Sequence, residues 1–278
     1  MITSTANSKV KRIVQLQKKA RLREQEDVFI IEGIKMFLEA PADSLQEVFI
    51  ATGLLAKLIG RERPENQLYA AAGQRLQQLS YEEVAEDVFL KMSDTLSPQG
   101  ILCVVGRMHN TPARLLAAAG EKETEKPLYL VVETLQDPGN LGTIIRTAEG
   151  AGITGIIMDN QTVDVYNPKV LRATMGSVFR VPFAYTRDLV PVLENMTNQG
   201  IAVYAAHLNG AVNYDECSYD VPCAFAIGNE GAGLSERVLQ KATGYIRIPM
   251  HGAVESLNAS VAAAIVMYEA DRQRRGCR

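Results

Sequence analysis

Residues 128–147 read Leu128-Tyr129-Leu130-Val131-Val132-Glu133-Thr134-Leu135-Gln136-Asp137-Pro138-Gly139-Asn140-Leu141-Gly142-Thr143-Ile144-Ile145-Arg146-Thr147. An apolar run of five, bounded by polar residues, has the length of a strand buried on both faces. Pro-Gly then makes a turn, Asn140 can cap the next element, and Leu141–Glu149 reads as a helix. Strand, polar loop and helix form the unit from which parallel sheets are built. The same alternation continues to the C-terminus. Further strands are expected at Gly155–Met158, Val178–Pro182, Ile201–Ala205, Cys223–Ile227 and Tyr245–Ile248, with helices at Asp188–Asn198 and Ser235–Lys241. The fold expected from residue 127 onward is α/β, a largely parallel sheet covered on both faces. A last helix is expected over Glu255–Arg274, with Leu257, Val261, Ile265 and Tyr268 as its buried stripe.

Upstream the pattern is that of a smaller α/β unit. Ser8–Arg23 reads as an amphipathic helix burying Val10, Ile13, Val14 and Leu16. Strands are expected at Val28–Ile31, Glu47–Ala51 and Ile101–Val105, and a helix at Glu32–Ala40. Between the two patterns, His109–Lys126 mixes Thr-Pro, an alanine-rich patch and the charged run Glu121-Lys122-Glu123-Thr124-Glu125-Lys126, a composition suited to a surface connector. The expected division is 1–108, a connector at 109–126, and 127–278.

Composition excludes several classes. In 278 residues, hydrophobic residues make up 47% and charged residues 22%, as in an ordinary globular protein and unlike a disordered or collagenous chain. The longest apolar run, Val261–Tyr268, is far short of a bilayer span, and the basic N-terminal stretch has no secretory h-region, so no membrane partner is expected. Four cysteines (Cys103, Cys217, Cys223, Cys277) without a CxxC pair read as reduced thiols, consistent with a cytoplasmic setting. His109, His207 and His251 lack metal-ligand spacing, so no metal is expected.

The net charge of −3 does not mark a nucleic-acid binder, but its distribution is uneven. Lys9, Lys11, Arg12, Lys18, Lys19, Arg21 and Arg23 fall in one stretch with no acidic residue, a candidate phosphate-contacting surface. The plainer alternative is a solvated helix face. Arg272, Arg274, Arg275 and Arg278 give a weaker echo at the other end.

Three polar loops follow strands, where open parallel sheets bind ligands. The first is Gln136–Thr147. The second, Gly228-Asn229-Glu230-Gly231-Ala232-Gly233-Leu234-Ser235, has three glycines that allow backbone to approach a ligand, but its spacing is neither GxGxxG nor that of a phosphate loop. Glu230 there suits a cationic ligand or a hydrogen-bonding role, and Ser235 can cap the helix that follows. The third runs Ile248-Pro249-Met250 to Ser256-Leu257-Asn258-Ala259-Ser260 and offers more uncharged hydrogen-bonding groups than a helix cap needs. Glu133, at the end of its strand, reads as a carboxylate in solvent.

Together the three loops resemble the ordered motifs of the SpoU (TrmH-type) RNA ribose methyltransferases: Asn140-Leu141-Gly142 with Arg146-Thr147-Ala148, Gly228-Asn229-Glu230-Gly231 with Gly233-Leu234, and Ile248-Pro249-Met250 with Ser256-Leu257-Asn258. Ala259, where valine is commoner, is a conservative departure. Asn7–Arg23 and Phe29-Ile30-Ile31-Glu32-Gly33 resemble, more loosely, the ribosomal-protein-like substrate-binding domain that precedes many such enzymes. The resemblance implies a SPOUT fold with a deep trefoil knot, a homodimer in which one subunit's arginine-bearing loop completes the partner's site, and S-adenosylmethionine as cofactor. It places Gly228, Asn229, Ile248, Met250 and Leu257 at the cofactor, mainly through backbone, and Asn140, Arg146, Glu230, Ser256 and Asn258 in the catalytic group, with Asn140 and Glu230 orienting Arg146.

The implied reaction is methyl transfer to a ribose 2′-hydroxyl of ribosomal RNA, with a guanosine of 23S rRNA the favoured target and transfer RNA the alternative. An ordinary arginine stays protonated. Arg146 therefore either loses its proton in an unusual environment and serves as base, or clamps the adjacent phosphate. Two other classes compete: a catalytically silent RNA binder, disfavoured by the complete motif set, and a nucleotide-dependent oxidoreductase, disfavoured by the missing GxGxxG.

Overall fold

The computed structural model describes residues 1–60, 66–120, 126–207, 212–252 and 256–276. The chain divides into two compact units, one of residues 1–108 with 166–179 and one of residues 109–165 with 180–278. The charged run at 121–125, Glu255, Cys277 and Arg278 lie outside the described residues.

In the first unit, α1 (Ser8–Lys18) and α2 (Ala20–Glu26) are separated at Lys19, which is extended. The single helix expected over Ser8–Arg23 is thus two. The physical reason lies in Arg23, whose guanidinium donates to the carbonyls of Leu16 (2.8 Å) and Gln17 (3.1 Å) and so closes the C-terminal end of α1. Then follow β1 (Val28–Glu32), α3 (Ile34–Glu39), β2 (Leu45–Ala51), α4 (Thr52–Ile59), α5 (Gln67–Leu76), β3 (Glu82–Val84), α6 (Glu86–Met92) and β4 (Ile101–Gly106). The sheet order is β1-β4-β2-β3, with β4 antiparallel to both neighbours and β3 parallel to β2. Ile13 and Leu16 of α1 are wholly buried in its core beside Phe49, Phe89 and Leu102, each contributing ~1.5–3 kcal/mol of apolar burial.

The second unit begins with α7 (Pro112–Gly120), which falls inside the expected connector. Leu115 and Leu116 are buried in this unit's core, so this part of the expected connector is a helix that packs on the second unit through its leucines. Then come β5 (Leu128–Val132), α8 (Pro138–Gly150), β6 (Gly155–Asp159) and α9 (Pro168–Thr174), the last within the stretch grouped with the first unit. There the Tyr166 ring stands 4.5 Å from Phe29, and Arg172 pairs with Asp94 at 2.9 Å. The chain continues through β7 (Phe183–Thr186), α10 (Val190–Asn198), β8 (Ala202–Ala206), β9 (Val212–Asn213), β10 (Cys223–Ile227), α11 (Glu236–Leu239), β11 (Gly244–Arg247) and α12 (Ala259–Arg274).

The strand expected at Val178–Pro182 lies instead at Phe183–Thr186. Gly176, at φ +98°, and Pro182 punctuate the earlier run, which forms a short 3-10 turn. The sheet order is β7-β6-β5-β10-β8-β11-β9 with every pair parallel. The chain runs outward from β5 through β6 to β7 and later returns to β10 at the other side of β5. This reversal opens a crevice at the carboxyl ends of the strands.

The buried face of α12 is Ala259, Ser260, Ala263, Val266, Met267 and Ala270, whose alanines allow close packing on α8 and β10. The stripe expected from Leu257, Val261, Ile265 and Tyr268 is a different face. Val261 and Tyr268 are 46% and 47% exposed. The helix carries two apolar faces, and the one that holds the alanines is the one buried.

Candidate functional site

The loops that follow β5, β10 and β11 converge with the start of α12. Asp137, rather than Asn140, caps α8: its carboxylate accepts from the Asn140 N–H at 2.8 Å, and Pro138 occupies the first turn. That leaves the Asn140 side chain, in a buried residue, available for contacts beyond its own helix. Its Nδ2 donates to Glu230 Oε1 (3.1 Å), and its Oδ1 accepts from Asn258 Nδ2 (2.9 Å). Asn258 caps α12, its Oδ1 accepting from the Ser260 N–H (2.9 Å) and hydroxyl (2.6 Å). One line of hydrogen bonds therefore joins all three loops.

Glu230 also accepts from the backbone N–H groups of Gln136 (3.3 Å) and Asp137 (3.1 Å). Partial burial works to raise its pKa. The donors from Asn140 and from the Glu230, Asp137 and Gln136 backbone outweigh it and hold the carboxyl below its ordinary range. Glu230 is thus a fixed negative charge at the rim of the crevice.

The second loop closes on itself. Asn229 and Gly233 exchange backbone hydrogen bonds at 3.0 Å each, and Asn229 Oδ1 accepts from the Gly231 and Ala232 N–H groups. A Cβ at Gly228 would collide with the Gly233 carbonyl and the Leu234 nitrogen, so only glycine fits. The glycine expected for ligand approach is required first by the loop's own closure. Glu133, expected in solvent, instead accepts from the Ser235 N–H (2.7 Å) and hydroxyl (2.6 Å), tying the far end of this loop to β5.

A cleft of about 180 Å³ opens among these loops. All five residues assigned to the cofactor, Gly228, Asn229, Ile248, Met250 and Leu257, line it, as do Glu230 and Ser256 of the catalytic group. Asn140 and Asn258 stand beside it through the hydrogen bonds above. Arg146 does not join them. It is exposed on α8 and makes no hydrogen bond or ion pair among the described residues. Six residues along a helix amount to about 600° of rotation, which turns Arg146 away from the Asn140 face. Within one chain Asn140 and Glu230 hydrogen-bond to each other, and neither bonds Arg146 among the described residues.

Five cleft residues escaped the sequence reading of the site: Ala206, His207, Ile246, Arg247 and Ala262. His207 directly follows β8, a position that marks it once the strand order places β8 beside β10.

The basic residues of the N-terminal unit divide. Lys11, Lys18, Lys19 and Arg21 are exposed. Lys9 pairs with Glu82 at 2.5 Å, and Arg12 pairs with Glu26 (2.6 Å) and with Glu47. Arg23 is a correction: it is only 4% exposed and spends its guanidinium on the end of α1, so it cannot meet a phosphate. The described C-terminal arginines are likewise occupied. Arg272 pairs with Glu269 and Arg275 with Asp271, while Arg274 donates to the carbonyls of Lys126 (2.6 Å), Val221 (2.8 Å) and Tyr219 (3.0 Å).

Comparison with known proteins agrees with this geometry. Residues 127–268 match the SpoU rRNA Methylase family, and residues 7–103 match the MRM3-like substrate binding domain. The chain is 32% identical to the 23S rRNA (guanosine(2553)-2'-O)-methyltransferase RlmP of Bacillus subtilis (strain 168), over 96% of this chain and 97% of that protein. Among solved structures it resembles the AdoMet-bound rRNA methyltransferase from Sinorhizobium meliloti, with a TM-score of 0.78, 30% identity, and coverage of 98% and 97% of the two chains. The SpoU methyltransferase AviRb from Streptomyces viridochromogenes superposes with a TM-score of 0.80 at 25% identity, covering 98% and 99%.

Proposed function

The chain belongs to the SpoU rRNA methylase family, and from that premise we propose that it transfers a methyl group from S-adenosylmethionine to a ribose 2′-hydroxyl of 23S rRNA, at a guanosine. The observation that carries the reading is the hydrogen-bonded line Asn258–Asn140–Glu230 beside a cleft lined by all five expected cofactor residues.

The residues fit the cofactor. Ile248, Met250 and Leu257 offer apolar walls and backbone groups to a flat base, and the ionised Glu230 carboxylate favours a nearby positive charge. When bound, S-adenosylmethionine would supply a methyl group on a positively charged sulfur: the ribose oxygen takes the methyl as the sulfur–carbon bond breaks, S-adenosylhomocysteine leaves, and the hydroxyl proton passes to water. The chain's work is placement, a source of on the order of 7–11 kcal/mol in favourable cases. Asn140 and Asn258 fix each other, Glu230 locks the first loop to the second, and Ser256 faces the cleft where ribose would enter.

Arg146 has its place in the partner subunit's site. An exposed guanidinium is a fixed charge with a fork of donors suited to phosphate, so its role is to clamp the phosphate beside the target ribose. The exposed Val261 and Tyr268 face of α12 supports a homodimer that brings Arg146 to that position. We further assign a trefoil knot to the C-terminal segment, RNA binding to residues 1–108 with Lys11, Lys18, Lys19 and Arg21 at the phosphates, the connection to residues 109–126, whose helix α7 packs on the second unit, and methyl transfer to residues 127–278. The setting is cytoplasmic.

The test is transfer of labelled methyl from S-adenosylmethionine to purified 23S rRNA or tRNA, followed by alkaline hydrolysis. A 2′-O-methyl group protects the adjacent phosphodiester, so label recovered in alkali-resistant dinucleotides supports the reading, and label only in mononucleotides contradicts it.

A further inference from the structure

Thr134 has φ +54°, a left-handed conformation that a β-branched residue adopts only when its surroundings impose it. The imposing group is Asp159, at the carboxyl end of β6 and only 7% exposed. Asp159 Oδ1 accepts from the Thr134 N–H (2.9 Å), and Oδ2 accepts from the Thr134 hydroxyl (2.7 Å). The same Oδ1 accepts from the N–H (2.9 Å) and hydroxyl (2.7 Å) of Thr162. Four donors therefore converge on one buried carboxylate.

The consequence lies on the other side of Thr134. Its carbonyl accepts from Asn229 Nδ2 at 2.9 Å, the contact that ties the cofactor loop to the chain leaving β5. Two and three residues further on, the N–H groups of Gln136 and Asp137 reach Glu230. The reversal of backbone direction at Thr134 lets one short segment serve both. With Thr134 relaxed to negative φ, its carbonyl would turn from Asn229 and the following N–H groups would leave Glu230.

We infer that Asp159 is a positioning residue for methyl transfer: by holding Thr134 in a left-handed turn it fixes Asn229 and Glu230, and with them the cofactor cleft. Asp159 does not line the cleft; it acts through Thr134 and through Thr162, whose hydroxyl in turn accepts from the Leu135 N–H at 3.3 Å and so steadies the same turn. The inference rests on the reading of the cleft as an S-adenosylmethionine site.

The experiment measures S-adenosylhomocysteine affinity by calorimetry for the wild-type protein and for three variants, Asp159→Asn, Thr134→Gly and their combination. Wild-type binding checks the cofactor reading by itself, so its failure is distinct from failure of this inference. Asp159→Asn replaces an acceptor with a donor and is expected to weaken binding about tenfold, ~1.4 kcal/mol. Glycine takes positive φ without help, so Thr134→Gly alone is expected to bind within about twofold of wild type, and the double variant to recover most of the loss. Should Asp159→Asn not fold, Thr134→Val serves in its place, since it keeps the β-branch, loses the hydroxyl and still needs positive φ; it is expected to bind at least fivefold more weakly than Thr134→Gly. A double variant no better than Asp159→Asn, or Thr134→Val and Thr134→Gly of equal affinity, overturns the inference, because an anchor serving general stability gains nothing from glycine.

Discussion

Asn258 donates its side-chain amide to the side-chain oxygen of Asn140 at 2.9 Å, joining the cap of the last helix to the first turn of a helix 118 residues earlier. Neither residue needs the other for local structure, since Asp137 caps α8 and Asn258 caps α12 with its oxygen. The pairing exists for the site. Replacing Asn140 with Ala is therefore expected to leave the fold intact and lower turnover about a hundredfold through misplacement. Steady-state kinetics beside a circular dichroism melt separate the two effects. Asn258→Ala is expected to lose about 1 kcal/mol of stability as well, because its cap goes with it.

Arg146→Ala is expected to retain S-adenosylhomocysteine affinity within about twofold and to lose at least about a hundredfold in turnover, the size of a missing charge-stabilising group. If the arginine acts across subunits, mixing Arg146→Ala with Asn140→Ala protein restores about a quarter of wild-type activity, because half the dimers carry one intact site. No recovery on mixing would return Arg146 to its own chain's site.

Glu230 gives the pH dependence a sign. Its folded pKa lies below the unfolded one, so it favours the folded loop fully above the unfolded value and progressively less as pH falls through the folded value. Cofactor affinity is expected to stay flat from neutrality down to the ordinary carboxylate range and to fall below it. In Glu230→Gln that acidic limb should vanish, and calorimetry across the pH range reads it.

Arg274 reaches four backbone carbonyls on two separate segments, at Lys126 and Pro127 and at Tyr219 and Val221. Arg274→Ala is expected to cost about 2 kcal/mol in urea denaturation, the scale of charged hydrogen bonds removed with their acceptors left behind. Arg275→Ala, which breaks a surface i,i+4 pair, should cost under about 0.5 kcal/mol.

Neutralising Lys11, Lys18 and Lys19 together should weaken RNA binding and reduce the salt slope by about one for each phosphate no longer neutralised. Arg23→Ala should instead lower stability, since it closes the end of α1. Unchanged RNA affinity for the triple variant would make that helix a solvated face and nothing more.

What the sequence made legible were features with a local signature. The buried strands Leu128–Val132 and Cys223–Ile227 were readable as apolar runs, and the three loops as polar glycine-bearing segments behind strands. What stayed hidden depended on partners far along the chain. That Asp137 takes the cap and frees Asn140, or that Arg23 turns inward among exposed lysines, follows from tertiary competition for the same donors and acceptors. On α12 periodicity pointed to Leu257, Val261, Ile265 and Tyr268, but the buried face is another one, because the choice fell to the depth at which Ala263 and Ala270 let α8 approach. His207 entered the cleft through the order of strands, which no local pattern carries.

The most direct test of the central claim is mass spectrometry of ribose-methylated nucleosides in ribosomal RNA from cells with the protein, without it, and carrying Arg146→Ala. One 2′-O-methylguanosine of 23S rRNA is expected to disappear with the protein, to return with the wild type and not to return with Arg146→Ala. Ribosomal RNA with the same methylated nucleosides in all three would contradict that claim.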